Sequence, residues 1–436
     1  MGDSINKIMS NESTAVLPTT YLNLRDINIG IVLIGTYILF DFGAFQGVFE
    51  IVNQLRLPFI VALLSVIYVL YLIANNRIDF SGLTTKIFIT LCFFIIIYAQ
   101  ISTINYSKQA ILTLFLQYLA NYLIIITCVK KPSQFILLIN IWLFAVLHSC
   151  FRAIYSGGKL YDSIWLKDEN HISLIAAYAI PFAFFLFMSY KSKLKKMFYV
   201  ICLGFYTTAV VVSVSRGGLV AMISVAFLCW LFIKHKIRAL LPIMLASVLI
   251  FIYAPAKFFE EAQTIHVGKQ EGTAEERLYS WQIAAKMFID YPIVGVGPMN
   301  YPEFFIEYDY ENRFKFASAG RRAFQGRAAH STPMQWLAEF GIIGSIILII
   351  LQIAMYRNWR TVYKNRINGV KMPEVDFNVL KYMTNACAIS QVGFWVAALF
   401  LTLLVYPFYW CLIPFSEAWK NIFLEHVKEY NGKISK

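Results

Sequence analysis

Twelve stretches of the chain are apolar almost without interruption, near residues 28 to 46, 58 to 75, 86 to 104, 109 to 127, 134 to 152, 171 to 190, 197 to 213, 218 to 233, 239 to 254, 334 to 356, 382 to 403 and 407 to 423. Most approach the roughly 20 residues that a helix needs to cross the hydrocarbon of a bilayer. Backbone groups find no water there, so such runs fold as helices and not as strands. The pattern therefore predicts an all-α integral membrane protein of about twelve transmembrane helices, with Pro414 and Glu417 interrupting the last. One connection stands apart. Residues 255–333 are polar and long, dividing the chain into helices one to nine (1–254), the loop itself, and helices ten to twelve with a tail (334–436). A loop of that length without structure of its own is uncommon. Within it, Leu278, Trp281, Ala285, Phe288 and Ile289 recur at helical spacing, Glu275 and Glu276 suit a helix start, and Pro292 follows the end. A helix is expected over 273 to 289, with a turn at Gly295, Gly297 and Pro298 after it.

Composition agrees with this pattern. The chain is 59% hydrophobic and only 14% charged, with a mean hydropathy of +0.61, which excludes an ordinary soluble enzyme. The net charge of +13 changes meaning once it is located. With the N-terminus inside, the inner connections and termini hold 23 of the 38 lysines and arginines, the short outer connections 6 and the long loop the remaining 9. Basic residues concentrate on the cytoplasmic side of membrane proteins, so both termini are expected inside and the long loop outside. No basic patch interleaved with aromatics sits on a soluble domain, which argues against nucleic acid as a partner. The seven cysteines lie in or beside apolar runs without CxxC spacing, so neither a disulfide frame nor a zinc site is indicated. The first 24 residues lack the pattern of a cleaved signal, leaving the first span to target the chain.

Chemistry-bearing residues gather in outer segments. Ser215-Arg216-Gly217-Gly218 lies between spans seven and eight, where two glycines permit a tight reversal. An arginine beside hydrocarbon needs a partner, or else snorkels to headgroups. Arg277 stands one turn before Trp281 on the expected loop helix. Its fork can bind phosphate oxygens in pairs; pairing with Glu275 or Glu276, or plain exposure, is the alternative. His330 ends the long loop where span ten begins. A histidine there can take a proton from a hydroxyl or serve as a hydrogen-bonded interfacial residue, with Ser331 and Thr332 as caps. Glu339 lies deeper, and a carboxylate inside a membrane segment is a functional candidate. Arg321, Arg322 and Arg327, with Arg313 and Lys315, could meet an acceptor or an anionic headgroup, or form a solvated face. Asp168 reads as a helix cap or as a contact for sugar hydroxyls. The chain has no P-loop, HExxH or GxSxG, and no DxD in an outer loop, so no metal or cofactor is expected and arginines would have to neutralise a leaving group.

The order Ser215-Arg216-Gly217-Gly218, Glu276-Arg277-Leu278 with Trp281, Tyr291-Pro292-Ile293-Val294-Gly295-Val296-Gly297, and His330-Ser331 followed by Leu337-Ala338-Glu339-Phe340-Gly341-Ile342-Ile343-Gly344 resembles the shared core of the bacterial O-antigen ligase and O-antigen polymerase superfamily. The resemblance covers about 200 to 350. It implies a C-type membrane glycosyltransferase of the bacterial inner membrane that works on the periplasmic side without a metal. Such an enzyme takes a glycan from undecaprenyl diphosphate and passes it to an acceptor hydroxyl. By position, the resemblance implies that Arg216 and Arg277 hold the diphosphate and that His330 activates the acceptor, with Ser215, Trp281 and Glu339 in support. A ligase, which transfers to lipid A core, fits the arrangement best. A polymerase, which extends a second lipid-linked glycan, is the alternative within the superfamily. A lipid-linked glycan transporter is the rival from another class; it would place polar residues near the bilayer midplane on broken helices.

Overall fold

The computed structural model describes residues 23–102, 104, 107–163, 165–233, 236, 274–309, 328–367, 374–403 and 406–434. Among them the elements are helical and there is no strand. In chain order the main helices are α1 Ile29–Gly43, α2 Leu57–Ala74, α3 Leu83–Ser102, α4 Ser107–Cys128, α5 Pro132–Tyr155, α6 Glu169–Ser189, α7 Lys193–Val212, α8 Arg216–Leu231, α9 Ala274–Asp290, α10 Tyr301–Tyr308, α11 Thr332–Ile367, α12 Glu374–Ala398 and α13 Leu412–Ile434. Seven of these, α2 to α7 and α11, contain stretches long and apolar enough to cross a membrane, while α1 and α8 are apolar but shorter. Large apolar side chains such as Ile67, Ile97, Ile223 and Ile349 point outward, an arrangement that water disfavours and lipid accepts. The chain is a multi-pass membrane protein.

Eleven of the twelve expected runs carry a helix; the ninth, 239 to 254, lies outside the described residues. The last run differs from expectation in form. Pro407–Trp410 makes a separate turn and α13 starts at Leu412, so Pro414 falls in a first turn where its missing N–H breaks no bond. Glu417, 2% exposed, is held by Asn358 Nδ2 at 2.9 Å and Lys420 Nζ at 2.6 Å, which is how α13 tolerates a carboxylate.

α6 is the central helix. Its residues from Ile172 to Leu186 are almost all buried, and α5, α7, α8 and α12 pack around it. Packing in lipid relies on close fit and interhelical hydrogen bonds more than on water exclusion. Tyr206 Oη donates to Leu143 O at 2.6 Å and Tyr199 Oη to Asn140 Oδ1 at 2.9 Å, tying α7 to α5.

α11 contains the largest departure from the expected pattern. The apolar run predicts one uninterrupted span, yet the helix breaks at Gly341, with φ 57° and ψ −155°, and resumes. The turn after α9 fills the break. Ile342 N–H donates to Pro292 O at 2.8 Å and Ile343 N–H to Ile293 O at 3.1 Å, while Ala338 O and Glu339 O accept from Val296 N–H at 2.9 Å and Gly297 N–H at 3.0 Å. Each of these groups would otherwise pair four residues away on its own segment. The two segments have exchanged partners, and all four bonds survive. Only glycine permits it: a Cβ at Gly295 would stand 2.4 Å from Glu339 C, and one at Gly341 would stand 2.7 Å from Gly295 N and Ile293 O. Tyr98 of α3 closes the arrangement by donating to Gly295 O at 2.7 Å. The long connection is therefore spliced into a membrane helix instead of standing apart from the bundle. The helix expected over 273 to 289 is α9, and with α10 it forms a small core of its own around Tyr279, Ile283, Met287, Tyr301 and Phe305.

Candidate functional site

Three segments meet at the end of the bundle where α6, α8 and α11 begin. The first joins α7 to α8. Val214 takes a left-handed conformation at φ 53°, and Ser215 caps α8, its Oγ accepting Gly218 N–H at 3.0 Å. The same hydroxyl donates to Asn170 Oδ1 at 2.6 Å. Asn170 in turn donates its backbone N–H and Nδ2 to Asp168 Oδ1 at 2.7 and 2.8 Å. Asp168 is thus the cap of α6, as one of its sequence readings held, and the starts of α6 and α8 are tied together. Gly217 and Gly218 allow the approach: Cβ atoms there would stand 3.1 Å from Phe400 Cβ and 2.1 Å from Ser173 Oγ. Arg216 is the first residue of α8 and its side chain is exposed.

The second segment is the first part of α9, which carries Arg277, half-buried. Burial lowers its guanidinium from the ordinary arginine range, and the nearby charge of Arg216 lowers it further. An arginine stays ionised nonetheless. Two like charges are therefore held close enough to repel, 61 positions apart in the chain. The side chains of Glu275 and Glu276 lie outside the described residues, as do Arg313, Lys315, Arg321, Arg322 and Arg327.

The third segment carries His330. One helical turn after Arg277, Trp281 Nε1 donates to Ala329 O at 3.0 Å, so α9 grips the residue just before the histidine. His330 is exposed and left-handed at φ 50°, a conformation that costs a non-glycine residue about 1 kcal/mol and persists only when its surroundings hold it. They hold it on both sides. Ala329 N–H donates to Gln335 Oε1 at 3.1 Å, and Thr402 Oγ1 donates to the same oxygen at 2.9 Å. Thr332 Oγ1 donates to Leu401 O at 2.6 Å and accepts Leu403 N–H at 3.0 Å.

Glu339 stands behind this layer, 1% exposed. Its Oε1 accepts from Gln335 Nε2 at 2.9 Å and Tyr301 N–H at 3.2 Å, and its Oε2 from Met299 N–H at 3.0 Å. These bonds make it a strut between α11 and the start of α10. Sequence reading singled out Glu339 but missed Gln335, which sits one turn earlier on the same face, and Thr402, to which no local pattern points.

A groove of about 940 Å³ runs between α11 and α12 from Pro333 and Met334, next to His330, past Leu348 and Ile349 to Tyr356 and Trp359. Beyond the break at Gly341, residues 342 to 359 alone rise about 26 Å along helix, close to the roughly 30 Å of a hydrocarbon core. Four polar side chains of its wall are linked: Gln391 Nε2 and Trp395 Nε1 each donate to Gln352 Oε1 at 2.9 Å, and Trp359 Nε1 to Gln391 Oε1 at 3.1 Å.

Residues 198–349 match a protein-family model described as O-Antigen ligase. The matched stretch contains all three segments and the exchange at Gly341. No curated protein matches the chain.

Proposed function

We propose that this chain, which belongs through residues 198–349 to the O-antigen ligase and polymerase superfamily, is a ligase that moves a glycan from undecaprenyl diphosphate to a hydroxyl of lipid A core. The observation that carries the reading is the convergence of Arg216, Arg277 and His330 at one end of the bundle, with Arg277 in the electrostatic field of Arg216 and Trp281 bridging from the Arg277 helix to Ala329.

In the proposed reaction the acceptor oxygen attacks the anomeric carbon, its proton passes to the His330 imidazole, and the bond from that carbon to the diphosphate oxygen breaks with its electron pair. Charge grows on the leaving diphosphate, where two guanidinium forks held together meet it. They supply without a metal the positive charge that the leaving group needs. A single displacement inverts the anomeric centre. The groove between α11 and α12 seats the prenyl tail of the donor, because it starts beside His330, is lined mainly by apolar side chains and follows α11 well beyond its break. The site end then faces the periplasm of the inner membrane, in keeping with the distribution of lysine and arginine.

Reconstitution in proteoliposomes with a lipid-linked glycan and either purified lipid A core or further lipid-linked glycan tests the reading. Capped core lipid is the expected product. A ladder on the carrier lipid would replace the ligase with a polymerase, and absence of both products would overturn the transferase reading.

A further inference from the structure

Beside the two arginines and the histidine, the same end of the bundle carries a second constellation of different chemistry. The Tyr406 ring lies between two others: its centroid is 5.4 Å from that of Trp165, at 65°, and 4.2 Å from that of His171, at 36°. All three side chains are partly exposed. They come from three separate segments, the connection before α6, the first turn of α6 and the connection after α12, and each segment is fixed. Ser163 Oγ accepts the backbone N–H groups of Trp165 and Leu166 at 3.3 and 3.2 Å. His171 follows Asn170, which binds Ser215 beside Arg216. Tyr406 follows the stretch 401–403 that Thr332 pins, two residues from His330. The rings therefore span the space from the Arg216 turn to the His330 turn, and His330 is close enough to His171 for their charges to interact.

The acidic groups here sit on the aromatic side. Asp168 acts electrostatically on both His171 and Tyr406, Glu169 acts on His171, and Asp41 at the end of α1 lies beside Trp165. Lys159 Nζ pairs with Glu169 at 2.8 Å, so the charge on this side is partly balanced, and a diphosphate is drawn instead to the arginines. A sugar is the opposite kind of ligand: neutral, with an apolar C–H face that lies on aromatic rings and a rim of hydroxyls that donate to carboxylates.

We propose that Trp165, His171 and Tyr406 form the floor on which a sugar ring of the acceptor lies, with Asp168 at its edge receiving a hydroxyl, so that the attacking hydroxyl is presented to His330. The assignment of this sugar to the acceptor rests on the transferase reading above; the floor itself is a carbohydrate site read from the rings and carboxylates alone.

Two measurements separate these layers. Binding of deacylated core oligosaccharide to the detergent-purified protein is followed by saturation-transfer difference NMR, which needs no turnover. Transfer is followed with acceptor varied at saturating donor, and then with donor varied. Trp165→Ala and Trp165→Leu, the second keeping apolar volume without a flat face, are each expected to weaken oligosaccharide binding about tenfold. Both should raise the acceptor concentration for half-maximal rate by a similar factor and leave that for the donor within twofold, while Trp165→Phe stays near wild type. Asp168→Asn, which preserves the cap of α6, is expected to give a smaller rise in the same direction. Oligosaccharide binding that is lost in the Trp165 variants of a protein that transfers nothing would keep the sugar site and remove the acceptor role. Absence of binding by the wild type, unchanged binding in both Trp165 variants, or an equal rise for donor and acceptor would overturn the floor.

Discussion

Gly341→Ala tests the partner exchange between α11 and the turn at 292–297 most directly. The residue sits at φ 57° and ψ −155°, a region that essentially only glycine enters and that costs other residues about 1–3 kcal/mol. Strain is the smaller part. The added methyl would stand 2.7 Å from Gly295 N, Ile293 C and Ile293 O, backbone atoms that cannot retreat without loosening the bonds from Ile342 and Ile343. Losing those two bonds while the exchanged geometry persists adds about 1–3 kcal/mol each. The expected loss is therefore on the order of 3–9 kcal/mol, which corresponds to a fall of roughly 3–10 °C in melting temperature for a chain of this size. Gly204→Ala on α7 is the control, because nothing lies within 4 Å of a Cβ there; it should be neutral or stabilise slightly. Melting of the detergent-purified variants, followed by loss of the monodisperse peak after heating, reads the difference. A Gly341→Ala protein that melts within 2 °C of wild type would refute the reasoning about the interlock.

Four further outcomes are expected. His330→Ala should lower transfer about 100-fold to 10,000-fold, the range of a lost general base, with membrane insertion unchanged; full activity in reconstituted vesicles would remove the proposed base. Arg277→Lys should fall nearly as far as Arg277→Ala in donor turnover, since a point charge cannot copy a bidentate fork, and recovery of wild-type rate by the lysine variant would argue against phosphate contact. Trp281→Phe removes the bond to Ala329 O while keeping most of the volume; it should slow transfer about tenfold at saturating donor and acceptor through a looser His330 turn, and an unchanged rate constant would show that the turn is held without it. Ser215→Ala loses the cap of α8 and the link to Asn170, which should cost about 1–3 kcal/mol in thermal or denaturant unfolding.

The helices were legible because hydrophobic runs of bilayer length have few other ways to fold. The residues of the candidate site were legible as ordered short motifs, and the structure brings Arg216, Arg277 and His330 to one end of the bundle. What the motifs mean locally was harder to read. Gly295 and Gly341 look like ordinary punctuation in one dimension, and an apolar pattern runs through Gly341 without a break, since a lone glycine inside a helix is tolerated. Their shared purpose depends on two distant segments touching. Asn170 and Ser215 pair across α7 for the same reason, and Tyr406 gave no sign of its place beside His171. Glu339 was marked by its charge in an apolar run, yet its hydrogen bonds make it a positioning group. Sequence reveals which residues are costly where they stand; only the fold reveals what offsets the cost.

The crossing of Pro292–Gly297 with Ala338–Ile343 pairs across two segments the backbone groups that each would otherwise pair along itself, so backbone pairing alone does not favour the joined state, and close packing with the Tyr98 bond to Gly295 O is what holds it. A side chain that blocks the crossing should therefore leave the helices on either side intact while freeing α9, and with it the bond from Trp281 to Ala329, from its place against α11.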